Sequence, residues 1–241
     1  DSEMIFRRCL FTNNTNTGVD GGGAILALAA DPFVIEDCDF IANSALGTSN
    51  GNVSGGGDGG AITMRLGGNA EVSGSTFIDG LATYNGAVYL RDGVISTWRE
   101  CHFEGNSSTY AVGAFGTSSA QPGCVTTLTN CVFTGNSSNN GDPSVLFNGA
   151  VAETLVDGCL FIENGAPGTV IKNLSGDLLD ITDTVFCENV GPDVSGGFDD
   201  LGGNTFSTDC PTDDCNQDGI ADYVQIFDGT LDDCDGNGVP D

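Results

Sequence analysis

The chain has 241 residues, with 34 Asp and Glu against 6 Lys and Arg, and a formal net charge of −28. That charge argues against a nucleic-acid partner or an anionic membrane surface, both of which need clustered Lys and Arg, and it favours divalent cations. Thirty-seven glycines, no long helix-forming run and no apolar run long enough to span a bilayer predict many short strands joined by tight turns.

The elements repeat in chain order. The first coil reads Phe6, then Cys9-Leu10-Phe11, then Asn14, then GGAI at Gly22–Ile25. The second reads Ile35, Cys38-Asp39-Phe40 and Asn43, then an insertion at 44–58, then GGAI at Gly59–Ile62. The third breaks the pattern, with Val72, Ser75, Phe77 and Gly80 before GAVYL at Gly86–Leu90. The fourth has Trp98, Cys101-His102-Phe103, Asn106 and Gly113–Phe115, with an excursion at 117–123. The fifth has Leu128, Cys131-Val132-Phe133, Asn136 and Ser144–Phe147. The sixth has Val156, Cys159-Leu160-Phe161, Asn164 and Thr169–Ile171, and the seventh has Ile181, Phe186 and Asn189. Phe206 closes the series, whose Phe residues recur about every 28 residues.

Three apolar steps per coil predict an all-β, right-handed parallel β-helix of about 7–8 coils over residues 1–209, roughly 40 Å long. Period-2 alternation puts Cys and Phe of C-x-F on the inner face and Asp39, His102, Val132 and Leu160 outside. The repeated Asn is expected in a left-handed corner, bonding to its counterparts as an internal ladder. The inward cysteines read as small buried hydrophobes, mostly free thiols, and Cys124 has no assignment. The chain opens at DSEMIFRR inside a strand-like pattern, as expected of a mature or trimmed product. An uncovered first coil would invite pairing with a neighbour.

The pairing of GGAI with F-x-x-N over residues 5–190 resembles the repeat of chlamydial polymorphic outer membrane proteins and related bacterial surface β-helices. The resemblance implies a secreted or surface-displayed adhesin-like solenoid, and no reaction.

Residues 210–241 read as a small acidic module. Asp214, Asn216, Asp218, Gly219 and Asp222 fall at positions 1, 3, 5, 6 and 9 of a Ca²⁺ loop, with the Ile220 carbonyl at position 7 and neutral Gln225 at position 12. Nineteen residues on, Asp233, Asp235, Asn237, Gly238, Val239 and Asp241 repeat the pattern. Cys187 and Cys210 look like a bridge closing the last coil, and Cys215 and Cys234 hold the same position in the two loops and could pair as well. Such bridges need an extracytoplasmic, oxidising compartment. The loops resemble dockerin-type and thrombospondin type 3 calcium repeats, and are similar to the DCNGNGIPD repeats of secreted planctomycete-type proteins. Cohesin docking as a dockerin-like scaffold module would need a helix pair, and Tyr223–Phe227 is the one helix-like piece.

A catalytic role finds thinner support. The basic residues Arg7, Arg8, Arg65, Arg91, Arg99 and Lys172 are scattered over different coils. A polysaccharide lyase or hydrolase would need carboxylates converging in one groove, for which Asp37, Asp39, Asp79 and Glu104 are the candidates. His102, the single histidine, takes an outward slot. N-x-S/T triplets begin at Asn13, Asn52, Asn106, Asn136 and Asn173.

Overall fold

The structure is a computed structural model of the chain, and it describes residues 2–18, 21–47, 57–118, 122–140, 143, 145–165, 168–176 and 178–210. Four parallel sheets wind round one core. Sheet A comprises Ser2–Arg7, Ala30–Glu36, Asn69–Ser73, Ile95–Arg99, Val125–Thr129, Glu153–Asp157, Leu179–Thr182 and Asp199–Gly202. Sheet B follows it within each coil, as Leu10–Thr12, Asp39–Ile41, Thr76–Ile78, His102–Glu104, Val132–Thr134, Leu160–Ile162, Val185–Cys187 and Thr205–Ser207. Sheet C is five two-residue strands from Thr15–Asn16 to Ser137–Ser138, and sheet D is seven strands from Ile25–Leu28 to Val194–Ser195. The three-step reading of a coil thus missed sheet C, whose strands are too short to show a period.

Sheets A and B run through eight rungs. Phe11, Phe40, Phe77, Phe103, Phe133, Phe161, Phe186 and Phe206 form one stack, with ring centroids 4.6 to 5.0 Å apart. The centroid spacing is the strand spacing of about 4.8 Å, so the ladder itself holds the rings in contact. Trp98 fills the space opposite, edge-on to Phe115 at 5.1 Å.

Two corners flank each strand of sheet B, and both use one device. At each, a residue in the left-handed region precedes the residue of the inner ladder. Before the cysteine column these are Arg8, Asp37, Gly74, Glu100, Asn130, Gly158 and Asp183, with φ between 46° and 58°. Before the asparagine column they are Asn13, Ala42, Asp79, Gly105, Gly135, Glu163 and Glu188. The asparagine is therefore not itself the left-handed residue, contrary to the sequence expectation. Each non-glycine residue there costs about 1 kcal/mol of backbone strain. The side-chain ladder that follows offsets it.

That ladder is saturated. The Asn136 Nδ2 donates to the Phe103 carbonyl at 2.9 Å and to Asn164 Oδ1 at 3.0 Å. Its Oδ1 accepts from the backbone N–H and Nδ2 of Asn106, both at 3.0 Å. Asn43, Asn106, Asn164 and Asn189 repeat the bond to a phenylalanine carbonyl one rung back. Gly80 interrupts the column because a Cβ there would lie 2.4 Å from the Gly86 carbonyl oxygen. Its N–H instead donates directly to Asn106 Oδ1 at 2.9 Å.

The cysteines do more than fill space. Cys38 and Cys131 donate through sulfur to the carbonyls of Glu36 and Thr129, two residues earlier. Their sulfur column accepts in turn, as Cys159 Sγ does from the Cys131 N–H at 3.4 Å. Ser75 and Thr184 play the same part with oxygen, which explains why the column tolerates both. Burial raises the Cys131 thiol well above its usual pKa, and hydrogen bonding to Cys131 together with burial does so for Cys101. The unassigned Cys124 is a buried free thiol just before the strand Val125–Thr129.

Asn136→Ala should destabilise the fold by about 3 kcal/mol, because it strands buried donors and acceptors on two neighbouring rungs. Cys131→Ser should cost about 1 kcal/mol or less, since the hydroxyl reproduces the role of Ser75. Urea unfolding of the two variants checks the ranking.

Candidate functional site

The metal candidates Asp214, Asn216, Asp218, Ile220, Asp222, Gln225, Asp233, Asp235, Asn237, Val239 and Asp241 lie outside the described residues, as do Cys215 and Cys234. Among the described residues, no group of three or more His, Cys, Asp and Glu is placed to hold a metal ion. The geometry on hand concerns the outer faces of the coils and the junction at Cys187.

Cys187 ends its strand of sheet B, one residue beyond the inward Phe186, so its side chain faces outward. It is joined to Cys210, with Cα atoms 4.8 Å apart. The bond closes a loop that contains the whole eighth rung. Cys9, Cys38, Cys101, Cys124, Cys131 and Cys159 are free thiols.

The carboxylates once paired as a glycosidase candidate separate onto different features. Asp37 and Asp79 are left-handed corner residues on opposite sides of sheet B. Each leans over a glycine of the next rung: a Cβ on Gly74 would meet Asp37 Oδ1 at 2.7 Å, and one on Gly105 would meet Asp79 Oδ1 at 2.8 Å. Asp39 accepts a hydrogen bond from the Thr76 hydroxyl at 2.7 Å. Glu104 lies two rungs further along and one outward column over. These four do not meet in one groove.

His102 sits outward on sheet B, and its Nε2 has neither accessible surface nor a hydrogen-bond partner. Burial lowers its pKa below the usual imidazole range, against an opposing pull from Glu104. Sequence position alone gave no sign of that burial.

Sheet A carries a feature that pattern reading missed. Glu71, Ser73, Thr97 and Arg99 line an open depression of about 210 Å³. Thr97 pairs with Glu71 and Arg99 with Ser73 across adjacent rungs. A guanidinium, a carboxylate and two hydroxyls therefore share one small surface, a donor and acceptor set suited to a polar ligand. On sheet D, Arg91 and Arg65 both approach Asp92, at 3.2 and 3.8 Å. Tyr89 stands in the outward column of that sheet, and burial raises its phenol pKa.

Three of the N-x-S/T triplets are structural. Asn106 and Asn136 are fully buried ladder residues, and Asn173 is buried at the sheet D corner. Their amides are committed inside the fold, so they are not acceptors for a glycan in the native protein.

This geometry defines the chain as a parallel β-solenoid whose side-chain ladders repeat at every turn. Residues 1–145 match the family described as right handed beta helix region, and the chain belongs to that family. No curated protein and no solved structure matches the chain.

His102 yields a pH prediction. Its folded-state pKa is lowered, so on acidification the unfolded chain takes up the proton first. The contribution is whole above the ordinary histidine range and is lost as pH falls through and below it. Replacing His102 by Gln should flatten the stability profile in that window, measured by urea unfolding at stepped pH.

Proposed function

We propose that this chain is an extracellular structural and adhesive β-solenoid, with an acidic C-terminal repeat that binds calcium and stiffens the end of the rod. The observation that carries the reading is the unbroken side-chain stack from Phe11 to Phe206. Such a core makes a straight, stiff body whose outer faces repeat at a fixed spacing, which suits display more than closure around a substrate. The Cys187–Cys210 bond supports an oxidising, extracellular setting. The surface set at Glu71, Ser73, Thr97 and Arg99 supports a polar partner such as a cell-surface glycan. End-to-end self-association into a surface fibre rests on the general tendency of open strand edges to pair.

A second reading, a polysaccharide lyase or hydrolase, draws on that same depression, where Glu71 and Arg99 stand close enough to serve one substrate. Depolymerisation of a glycan panel with added calcium separates the readings. Product release that Arg99→Ala abolishes would establish the enzyme reading and remove the adhesive one.

For the calcium claim, isothermal titration of the whole chain should show binding that Asp218→Asn and Asp222→Asn each weaken by about tenfold or more, by removing a charged oxygen ligand. Heat release unchanged in both variants would refute it. Electron microscopy with and without chelator addresses assembly, and dispersed particles in both conditions would remove the fibre.

A further inference from the structure

The outer face of sheet A is open and, for this chain, nearly balanced in charge. Over the first six rungs one outward column reads Ile5, Val34, Glu71, Thr97, Thr127 and Leu155. The next reads Arg7, Glu36, Ser73, Arg99, Thr129 and Asp157. Arg7 and Arg99 stand against Glu36, Glu71 and Asp157 there, on a chain whose net charge is −28. Apolar side chains project from the same face: Ile5, Ile95 and Val125 are 43%, 52% and 38% exposed. Local repulsion is low on such a face, so a second acidic rod can approach it.

The order of residues along the rod favours one orientation. Ile5 and Arg7 stand on the first rung, and Leu155 and Asp157 stand in the same two columns on the sixth. A twofold axis along the strands, between the third and fourth rungs, turns a second rod antiparallel and sets the first rung against the partner's sixth. Ile5 then faces the partner's Leu155, and Val34 faces the partner's Thr127. Arg7, already paired with Glu36, gains the partner's Asp157. Glu71 and Arg99 lie diagonally on adjacent rungs, yet neither has an ion-pair partner among the described residues. Across the axis Glu71 faces the partner's Thr97, one outward column from the partner's Arg99, so each finds its counterion in the other chain. The contact is isologous, so every such pair occurs twice.

We propose that two copies of this chain pair side by side and antiparallel through the outer faces of sheet A, over the first six rungs. Six rungs about 4.8 Å apart, each five residues of about 3.3 Å wide, bury roughly 1,000 Å² over the two chains together. That is the lower edge for a specific interface, so the pair is reversible and micromolar. The contact uses neither calcium nor the rod ends, and it goes beyond end-to-end growth. It covers the depression at Glu71 and Arg99, so a polar ligand reaches that depression only on the unpaired chain.

Sedimentation equilibrium of the full chain should show a monomer–dimer equilibrium. Arg99→Glu and Glu71→Arg should each weaken the homodimer by about tenfold or more, with circular dichroism unchanged. An equimolar mixture of the two variants should recover the dimer, because the mixed pair sets Glu beside Arg at both symmetry-related contacts. Arg7→Glu and Asp157→Arg form a second complementary set. Their recovery on mixing reports the antiparallel direction, since these two residues stand on the first and sixth rungs of one chain. A monomer at every concentration into the millimolar range overturns the proposal. So does a dimer that none of the four variants weakens, which would place the contact on another surface. Failure of either mixture to recover the dimer overturns it as well.

Discussion

Everything in this molecule follows from one spacing. A parallel ladder sets each residue about 4.8 Å from its equivalent on the next turn, so like side chains must stack on like. Phenylalanine accepts that arrangement as a column of nearly parallel rings, with planes within 9° of one another. Asparagine accepts it because its amide has both donors and an acceptor, so identical residues can satisfy one another in series. Few side chains do this, and those few mark the repeat.

The inner columns were legible for the same reason. Cys, Phe and Asn recur at fixed offsets, and a fixed offset becomes a register in a solenoid. The corners were less legible. Arg8, Asp37, Glu100, Asn130 and Asp183 share a left-handed backbone but no common side chain, because that position is defined by φ and faces out. Sheet C escaped for want of length. The buried polar seam of Ser96, Thr126 and Thr154 on sheet A, bonded through Thr154 to Asn148 on sheet D, hides in strands that look like ordinary surface Thr and Ser. At the candidate site, Arg99 and Glu71 were visible only as scattered charges. Their meeting depends on a register that no local pattern states.

The variations within a column are as informative as its consensus. Ser75, Thr184 and Asn204 replace the cysteine. Each offers the preceding rung a side-chain acceptor for a backbone N–H. The requirement at this position is thus an acceptor atom one bond or two from Cβ, and sulfur is one solution among several. A column of thiols survives next to a disulfide in one chain because Cys38, Cys101, Cys131 and Cys159 are sealed inside, whereas Cys187 and Cys210 meet outside the sheet.

The outer columns face the opposite difficulty, because stacked carboxylates repel. Like charges directly opposite each other on adjacent strands are destabilising. The early coils avoid this: Arg7 stands beside Glu36 in an ion pair, Asp39 beside Thr76, and Glu71 beside Thr97. The late coils do not. Asp180 stands opposite Asp199 on sheet A, and the corner residues Glu163 and Glu188 follow one another on the sixth and seventh rungs. Repulsion therefore accumulates over the sixth to eighth rungs. The covalent tie falls at the same place. By linking Cys187 to Cys210 it removes the freedom the last rung would gain on peeling away, worth about 3 kcal/mol for a loop of this length. The terminal rung can hold its acidic columns because chain entropy, and not surface charge, decides whether it stays closed.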